Sequence, residues 1–162
     1  MSAVADLVAG ALAQEIAASD VRVFAATSPL TVVAARAARL LGRPDLAIAG
    51  GFTRLDAAPV PALTLGEAGL MGDAPGPRGD IGDVFSLLAR GEGGVAVSPA
   101  QLDAHGRTNL SGVGGPPGAP RTALPGTRGL ADTNDTPSRV WYLLPAHSPR
   151  TLVERVEVVS GP

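Results

Sequence analysis

The sequence contains neither cysteine nor lysine. The first absence excludes disulfides, thiolate metal ligands and a cysteine nucleophile. All thirteen basic residues are therefore arginine, which together with the abundance of Ala, Gly and Pro reads as the coding bias of a GC-rich genome. Aromatic residues make up only 3%, so a core has to be built from Ala, Val and Leu. Two separated histidines without a carboxylate cluster do not predict a metal site. A net charge of −2 provides no electrostatic footing for nucleic acid or an anionic membrane. No apolar run approaches the length of a bilayer span, and the first twenty residues lack the basic start of a signal peptide. The expectation is a soluble, cytoplasmic protein.

At 162 residues and 45% hydrophobic, the chain is predicted to form a single domain over residues 1–162. Residues 2–18 place Val4, Leu7, Val8, Ala11, Leu12 and Ile16 on one helical stripe. Val21–Ala25 reads as a strand, Thr27-Ser28-Pro29 as a tight turn, and Thr31–Leu41 as a second helix stopped by Gly42. Asp45–Ala49 is a second strand running into Gly50-Gly51. Thr53–Gly79 loses periodicity among its prolines and is predicted to be irregular. Asp80 is placed as the cap of a third helix ended by Gly91, and Gly93–Val97 as a buried strand. Two further strands are expected at Arg139–Leu144 and Leu152–Val159. This alternation predicts an α/β fold, an open, mostly parallel sheet with helices on both faces. Sites in such sheets lie beyond the carboxyl ends of the strands, which singles out the turns at Ser28 and Gly50.

Between two of these strands lies Val97–Asn134, which holds seven of the 21 glycines and no sustained apolar run. Loops held on a rigid sheet commonly carry function, so this stretch is read as the functional end. Its Gly126-Thr127-Arg128-Gly129 segment can turn backbone N–H groups toward an anion or a carbonyl oxygen, with Arg128 as a charged donor. It lacks the ending of a P-loop, and as a bare pattern a plain glycine turn is the favoured explanation. Asp103 and His105 offer a carboxylate beside an imidazole, but the favoured reading is a β-turn with Gly106 at positive φ. Residues 112–120 read as a surface connection. No serine lies in a nucleophile elbow.

In order and spacing, these pieces resemble the β subunit of the class I coenzyme A-transferase family. The resemblance rests on the turn Ala25–Leu30, on Ala100-Gln101-Leu102-Asp103 followed by Gly106-Arg107-Thr108-Asn109, and on Gly126-Thr127-Arg128-Gly129-Leu130-Ala131. It extends to the β-like chains of actinobacterial steroid ring-opening hydrolases through Pro125–Gly129, Asn134 and the closing Val153–Gly161. It implies an acyl-CoA substrate, coenzyme A entering as part of that substrate, no permanently bound cofactor, and an α-like partner subunit. It also implies a substrate-binding set of Ser28, Gly50, Gly51, Gln101, Gly126, Arg128, Gly129 and Asn134. Transferases of this family carry a nucleophilic glutamate after an early strand, where this chain has Ala49-Gly50-Gly51-Phe52. A glycine is no nucleophile. The resemblance therefore points to a hydrolytic or ring-cleaving complex with its catalytic acid on the partner. Transfer of CoA between carboxylic acids and a non-catalytic structural subunit are the alternatives. Family β subunits also continue well past the Ser160-Gly161 that closes this sequence. The segment Gly126–Gly129 is expected to serve turnover, so that Gly129→Val stops the reaction with little loss of folding.

Overall fold

The structure is a computed structural model that describes residues 3–50, 81–116, 118–127, 129, 139–144 and 146–161. Twelve elements follow one another among them. Helix α1 (Ala3–Ala18) leads to β1 (Val23–Ala26), α2 (Pro29–Leu40) and β2 (Ala47–Gly50). Helix α3 (Ile81–Ala89) then leads to β3 (Gly93–Val97). Strands β4 (Gln101–Asp103), β5 (Thr108–Asn109), β6 (Gly112–Val113) and β7 (Thr122–Ala123) are short. The series closes with β8 (Arg139–Tyr142) and β9 (Leu152–Val153). The expected irregular segment Thr53–Gly79 and the cap Asp80 lie outside the described residues.

Four strands form the main sheet in the order β2-β1-β3-β8, and every pairing within it is parallel. Parallel neighbours in register share a face, so the sheet sorts its residues into two sets. Phe24, Ala26 and Ala96 face α1 and α2 and join Leu12, Ile16, Ala34, Ala35 and Ala38 in one core cluster, with Trp141 against it. Val23, Ala25 and Val95 occupy the opposite face, on which α3 packs against β1 and β3 with Leu88 buried. The sheet is thus covered on both sides, as buried parallel strands require.

Helix α1 departs from its expected stripe. Its buried residues are Ala9, Leu12, Ala13 and Ile16, while Val4 and Leu7 remain 69% and 74% exposed. The small side chains decide this: Ala9 and Ala13 meet an α2 face of Ala34, Ala35 and Ala38, so the two helices pack through alanine. Arg43 ties this layer to the sheet. Its Nη1 donates to the Ser19 carbonyl at 2.5 Å and its Nη2 to the Val21 carbonyl at 2.5 Å, while Nε lies 3.2 Å from Asp45 Oδ1.

The glycine-rich middle of the chain contains more sheet than its composition predicts. β4 pairs with β5 antiparallel and with β9 parallel, and β6 pairs with β7 as a hairpin. Conversely, the strand expected over Leu152–Val159 stops after Val153. Side chains take over the hydrogen bonds that a ladder would have made. Val156 N–H donates to Asp103 Oδ2 at 3.4 Å, and Glu157 N–H to Gln101 Oε1 at 3.1 Å.

Candidate functional site

A cleft of about 470 Å³ opens at the carboxyl edge of the parallel sheet. Three exits from the sheet build it: Ser28 and Leu30 after β1, Ser98 to Ala100 after β3, and Leu143 with Leu144 after β8. Val4 and Val8 of α1 form one wall. Leu110, Leu124 and Pro125, from the smaller sheets, form the opposite one. The lining is apolar apart from the two hydroxyls of Ser28 and Ser98, and no titratable side chain belongs to it among the described residues.

The β1 exit is held by local hydrogen bonds that its sequence dictates. Ser28 is the N-cap of α2, with extended backbone at φ −156 and ψ 163 and Pro29 following it in the first turn. Ser28 Oγ accepts from Thr31 N–H at 3.3 Å, and Thr31 Oγ1 accepts from Ser28 N–H at 2.9 Å and Thr27 N–H at 3.0 Å. Thr27 Oγ1 reaches across the sheet and donates to the Ala96 carbonyl at 2.6 Å, fixing the β1 exit against that of β3.

The opposite wall stands on a buried polar network. Asn109 is fully buried; its Nδ2 donates to Gln101 Oε1 and to the Gly112 carbonyl, both at 2.8 Å. Its Oδ1 accepts from Ser111 N–H at 3.0 Å and Gly112 N–H at 3.2 Å. Gln101 Nε2 donates in turn to Glu157 Oε1 at 2.9 Å, and Glu157 Oε2 accepts from Gly114 N–H at 2.6 Å. The wall residues hang directly from this frame. Leu124 N–H donates to the Ser111 carbonyl at 3.0 Å, Gly126 N–H to the Leu110 carbonyl at 2.8 Å, and Leu110 N–H to Ser160 Oγ at 2.8 Å.

Asp103 and His105 form the expected turn. Asp103 Oδ1 accepts from His105 N–H at 2.9 Å, Gly106 sits at φ 82, and Arg107 Nε donates to Asp103 Oδ2 at 2.8 Å. Burial disfavours the Asp103 charge, yet hydrogen bonds from the His105 backbone and the Arg107 side chain outweigh it and hold the carboxyl below its usual range. Asp103 thus orients backbone and guanidinium, and the imidazole is not its partner. Among the described residues no group of three or more His, Cys, Asp or Glu is placed to hold a metal ion.

The candidate residues fare differently. Ser28 lines the cleft, and Gly126 follows Pro125 on its far wall. Gly50 is in register with Ala26, two residues before Ser28, so it lies on the same edge. Gln101 has both ends of its amide committed inside the chain, one to Asn109 and Glu157 N–H and the other to the Glu157 carboxylate. Gly126, at φ 89, is a turn glycine whose N–H is already taken by Leu110. Gly129 packs against Phe85: a Cβ there would overlap the Phe85 ring at Cζ and Cε1. The expectation that Gly129→Val spares folding is therefore corrected, because any side chain at this position has to displace the ring. Gly51, Arg128 and Asn134 lie outside the described residues. Sequence reasoning weighed Ser98 only as a nucleophile, for which it has no elbow, and not as a lining residue. Its signal was its place, directly after a buried central strand of a parallel sheet.

The chain is 36% identical over 160 residues to the cholesterol ring-cleaving hydrolase IpdB subunit of Rhodococcus jostii (strain RHA1), a match covering 98% of this chain and 56% of that protein. It is also 36% identical over 137 residues to the subunit of the same name from Mycobacterium tuberculosis (strain ATCC 25618 / H37Rv), covering 83% of this chain and 52% of that one. The decarboxylase AibA/AibB superposes with a TM-score of 0.83 at 31% identity, covering 97% of this chain and 65% of its own. The chain is homologous to these proteins and takes the fold of the coenzyme A-transferase family.

Two more structures locate it within the family's fold. R. jostii IpdAB superposes with a TM-score of 0.79 at 30% identity, covering 98% of this chain and 60% of that one. Glutaconate coenzyme A-transferase from Acidaminococcus fermentans gives a TM-score of 0.83 at 19% identity, a likeness of fold. No protein-family profile matches the chain. The chain spans about half the length of the curated relatives it matches.

One outcome at the cleft wall is set by pH. The Gly114 N–H first, then the Gln101 amide and the Gly115 N–H, hold the Glu157 carboxyl below its ordinary value of 4.5 against a smaller opposing effect of burial. A depressed folded value means that this contribution is complete above the ordinary value and is lost as pH falls through the folded one. As pH falls below 4.5 this contribution begins to decline, and the β6–β7 hairpin is expected to loosen. Amide protection factors, exchange corrected for its intrinsic pH dependence, at residues 112–123 between pH 6 and pH 3 read this. The Glu157→Gln variant should exchange faster than wild type at pH 6 and lose the pH step; an unchanged step would show that Glu157 does not hold the hairpin.

Proposed function

We propose that this chain is the β-like part of a heteromeric enzyme that acts on an acyl-CoA, hydrolytically or by ring cleavage, with the catalytic acid supplied by an α-like subunit. The observation that carries this reading is the character of the cleft. It lies where a parallel sheet places its sites, yet among the described residues its lining offers apolar surface and two hydroxyls with no carboxylate or imidazole. Such a surface shapes and orients an acyl group but cannot attack it or move its protons. The relatives support the same division, since one is named as a subunit of a ring-cleaving hydrolase and two solved neighbours are named as two-component assemblies.

In this reading Ser28, Gly50 and Gly126 belong to the edge of the acyl site, and Gln101 acts by holding Asn109 and the wall. Gly51, Arg128, Gly129 and Asn134 stay with the proposed binding set, Gly129 through its packing on Phe85. Coenzyme A enters as part of the substrate, with no other cofactor, and the complex works in the cytoplasm. No described helix is long and apolar enough to cross a membrane. Direct CoA transfer would need a carboxylate from this chain, and the nearest in sequence, Asp56 and Glu67, lie outside the described residues.

Reconstitution tests this. The chain alone is expected to show no acyl-CoA turnover, and the chain with the α-like subunit encoded beside it is expected to hydrolyse the thioester or open the acyl ring. Trapping with hydroxylamine or borohydride during turnover should leave no adduct on this chain. A glutamyl or aspartyl adduct here would establish transfer instead, and an inert reconstituted pair would make the chain a structural subunit.

A further inference from the structure

The two hydroxyls of the cleft are not equivalent. Ser28 Oγ is engaged in capping α2, where it accepts from Thr31 N–H at 3.3 Å and lies 3.3 Å from Thr31 Oγ1. Ser98 Oγ has no hydrogen-bond partner among the described residues. The backbone around it is committed as well: Ala100 N–H donates to the Asn109 carbonyl at 2.9 Å, and Leu143 N–H to the Val97 carbonyl at 2.8 Å. Pro99 follows Ser98 and is itself fully buried, so the position of the hydroxyl is set by a rigid turn at the end of a strand buried in the sheet. Ser98 is exposed and belongs to the cleft lining, so the residue stands at the rim, beside an interior of leucine, valine and alanine.

We infer that Ser98 is the positioning residue of this site: its hydroxyl donates to the carbonyl oxygen of an apolar acyl group whose hydrocarbon body fills the cleft. This rests on the acyl-CoA reading above. The cleft volume of about 470 Å³ is in the range of small-molecule sites, and its apolar lining suits a compact carbocyclic or branched acyl group. The same lining excludes the phosphates of coenzyme A, which have no charged partner among the described lining residues and stay outside the cleft. A carbonyl joining the two parts then falls at the rim, where Ser98 stands. One donor in an otherwise apolar site fixes the direction in which the carbonyl points.

The test uses the reconstituted complex and two non-hydrolysable CoA thioethers that differ by one oxygen, 2-cyclohexyl-2-oxoethyl-CoA and 2-cyclohexylethyl-CoA. Titration calorimetry is expected to show wild type binding the keto probe about tenfold more tightly, the scale of one neutral hydrogen bond. Ser98→Ala should bind both probes as wild type binds the deoxo probe, and Ser98→Thr should keep the preference. The thermal midpoint of Ser98→Ala should match wild type, because no described bond within the chain is lost. A Ser98→Ala complex that retains the preference, or that weakens on both probes alike, overturns the inference and leaves the acyl-CoA reading standing. A wild-type complex that binds neither probe overturns both.

Discussion

Replacing Asn109 with alanine is expected to lower the thermal midpoint by about 10 °C and, in the complex proposed above, to abolish turnover. The side chain is fully buried and serves four partners at once. Its loss leaves the N–H groups of Ser111 and Gly112 and the Gly112 carbonyl with no replacement inside the protein, and Gln101 Oε1 keeps only the Glu157 N–H. A buried polar group left unmet costs about 1–3 kcal/mol, so about 3 kcal/mol or more is expected even after partial relaxation. In a domain of this size about 1 kcal/mol moves the midpoint by roughly 2–4 °C. Activity falls for a separate reason. Leu110, Leu124 and the turn at Gly126 hang from the same frame, so the far wall of the cleft moves with it.

Asn109→Asp keeps the shape and is expected to be at least as damaging. The two backbone donors at Ser111 and Gly112 fix the oxygen of Asn109 on their side, so the nitrogen has to face Gln101 Oε1 and the Gly112 carbonyl. An aspartate sets a second oxygen against those two acceptors. Gln101 cannot relieve the clash by turning its amide over, because its oxygen also accepts from Glu157 N–H and its nitrogen donates to the Glu157 carboxylate. Calorimetry on both variants decides the matter. A midpoint within 2 °C of wild type, on the scale of surface substitutions, would show that the network does not carry the wall.

Thr31→Val is expected to cost about 2–4 kcal/mol although it changes one atom's chemistry and almost none of the volume. Thr31 is 1% exposed. Its hydroxyl accepts from the N–H groups of Thr27 and Ser28 and donates to the Ser28 carbonyl at 2.7 Å, closing the capping box of α2. Valine leaves both N–H groups unmet at the corner where β1 turns into the cleft. Thr31→Ser retains the oxygen and should lose less than about 1 kcal/mol. Denaturant titration of the pair separates the two effects. Equal losses would assign the role of Thr31 to its methyl group and its packing, and the capping argument would fall.

What this sequence determined by itself is whatever closes within a few residues. The order of helices and parallel strands follows from runs of apolar periodicity broken by Gly and Pro, and the all-parallel main sheet follows from that order. The Asp103 turn was legible as a turn because the backbone donors at His105 and Arg107 are two and four residues away, while its bonds to the Arg107 side chain and the Val156 N–H were not. The turn at Thr27-Ser28-Pro29 was legible for the same reason, although the helix begins at Pro29 and not at Thr31, with Ser28 as its cap. Bonds between distant parts of the chain were decided by the tertiary structure alone. Leu152–Val159 carries strand-forming residues, but the N–H groups of Val156 and Glu157 bind side chains 53 and 56 residues away, so the strand stops at Val153. Gly126 looked free to bind an anion until Leu110 took its N–H, and Gly129 looked like a loop glycine until Phe85 lay against it. Ser98 acquires its role in the same way. A hydroxyl after a strand says nothing of its surroundings until α1, Leu110 and Leu124 are brought around it, and which groups satisfy one another across such distances depends on the path of the whole chain.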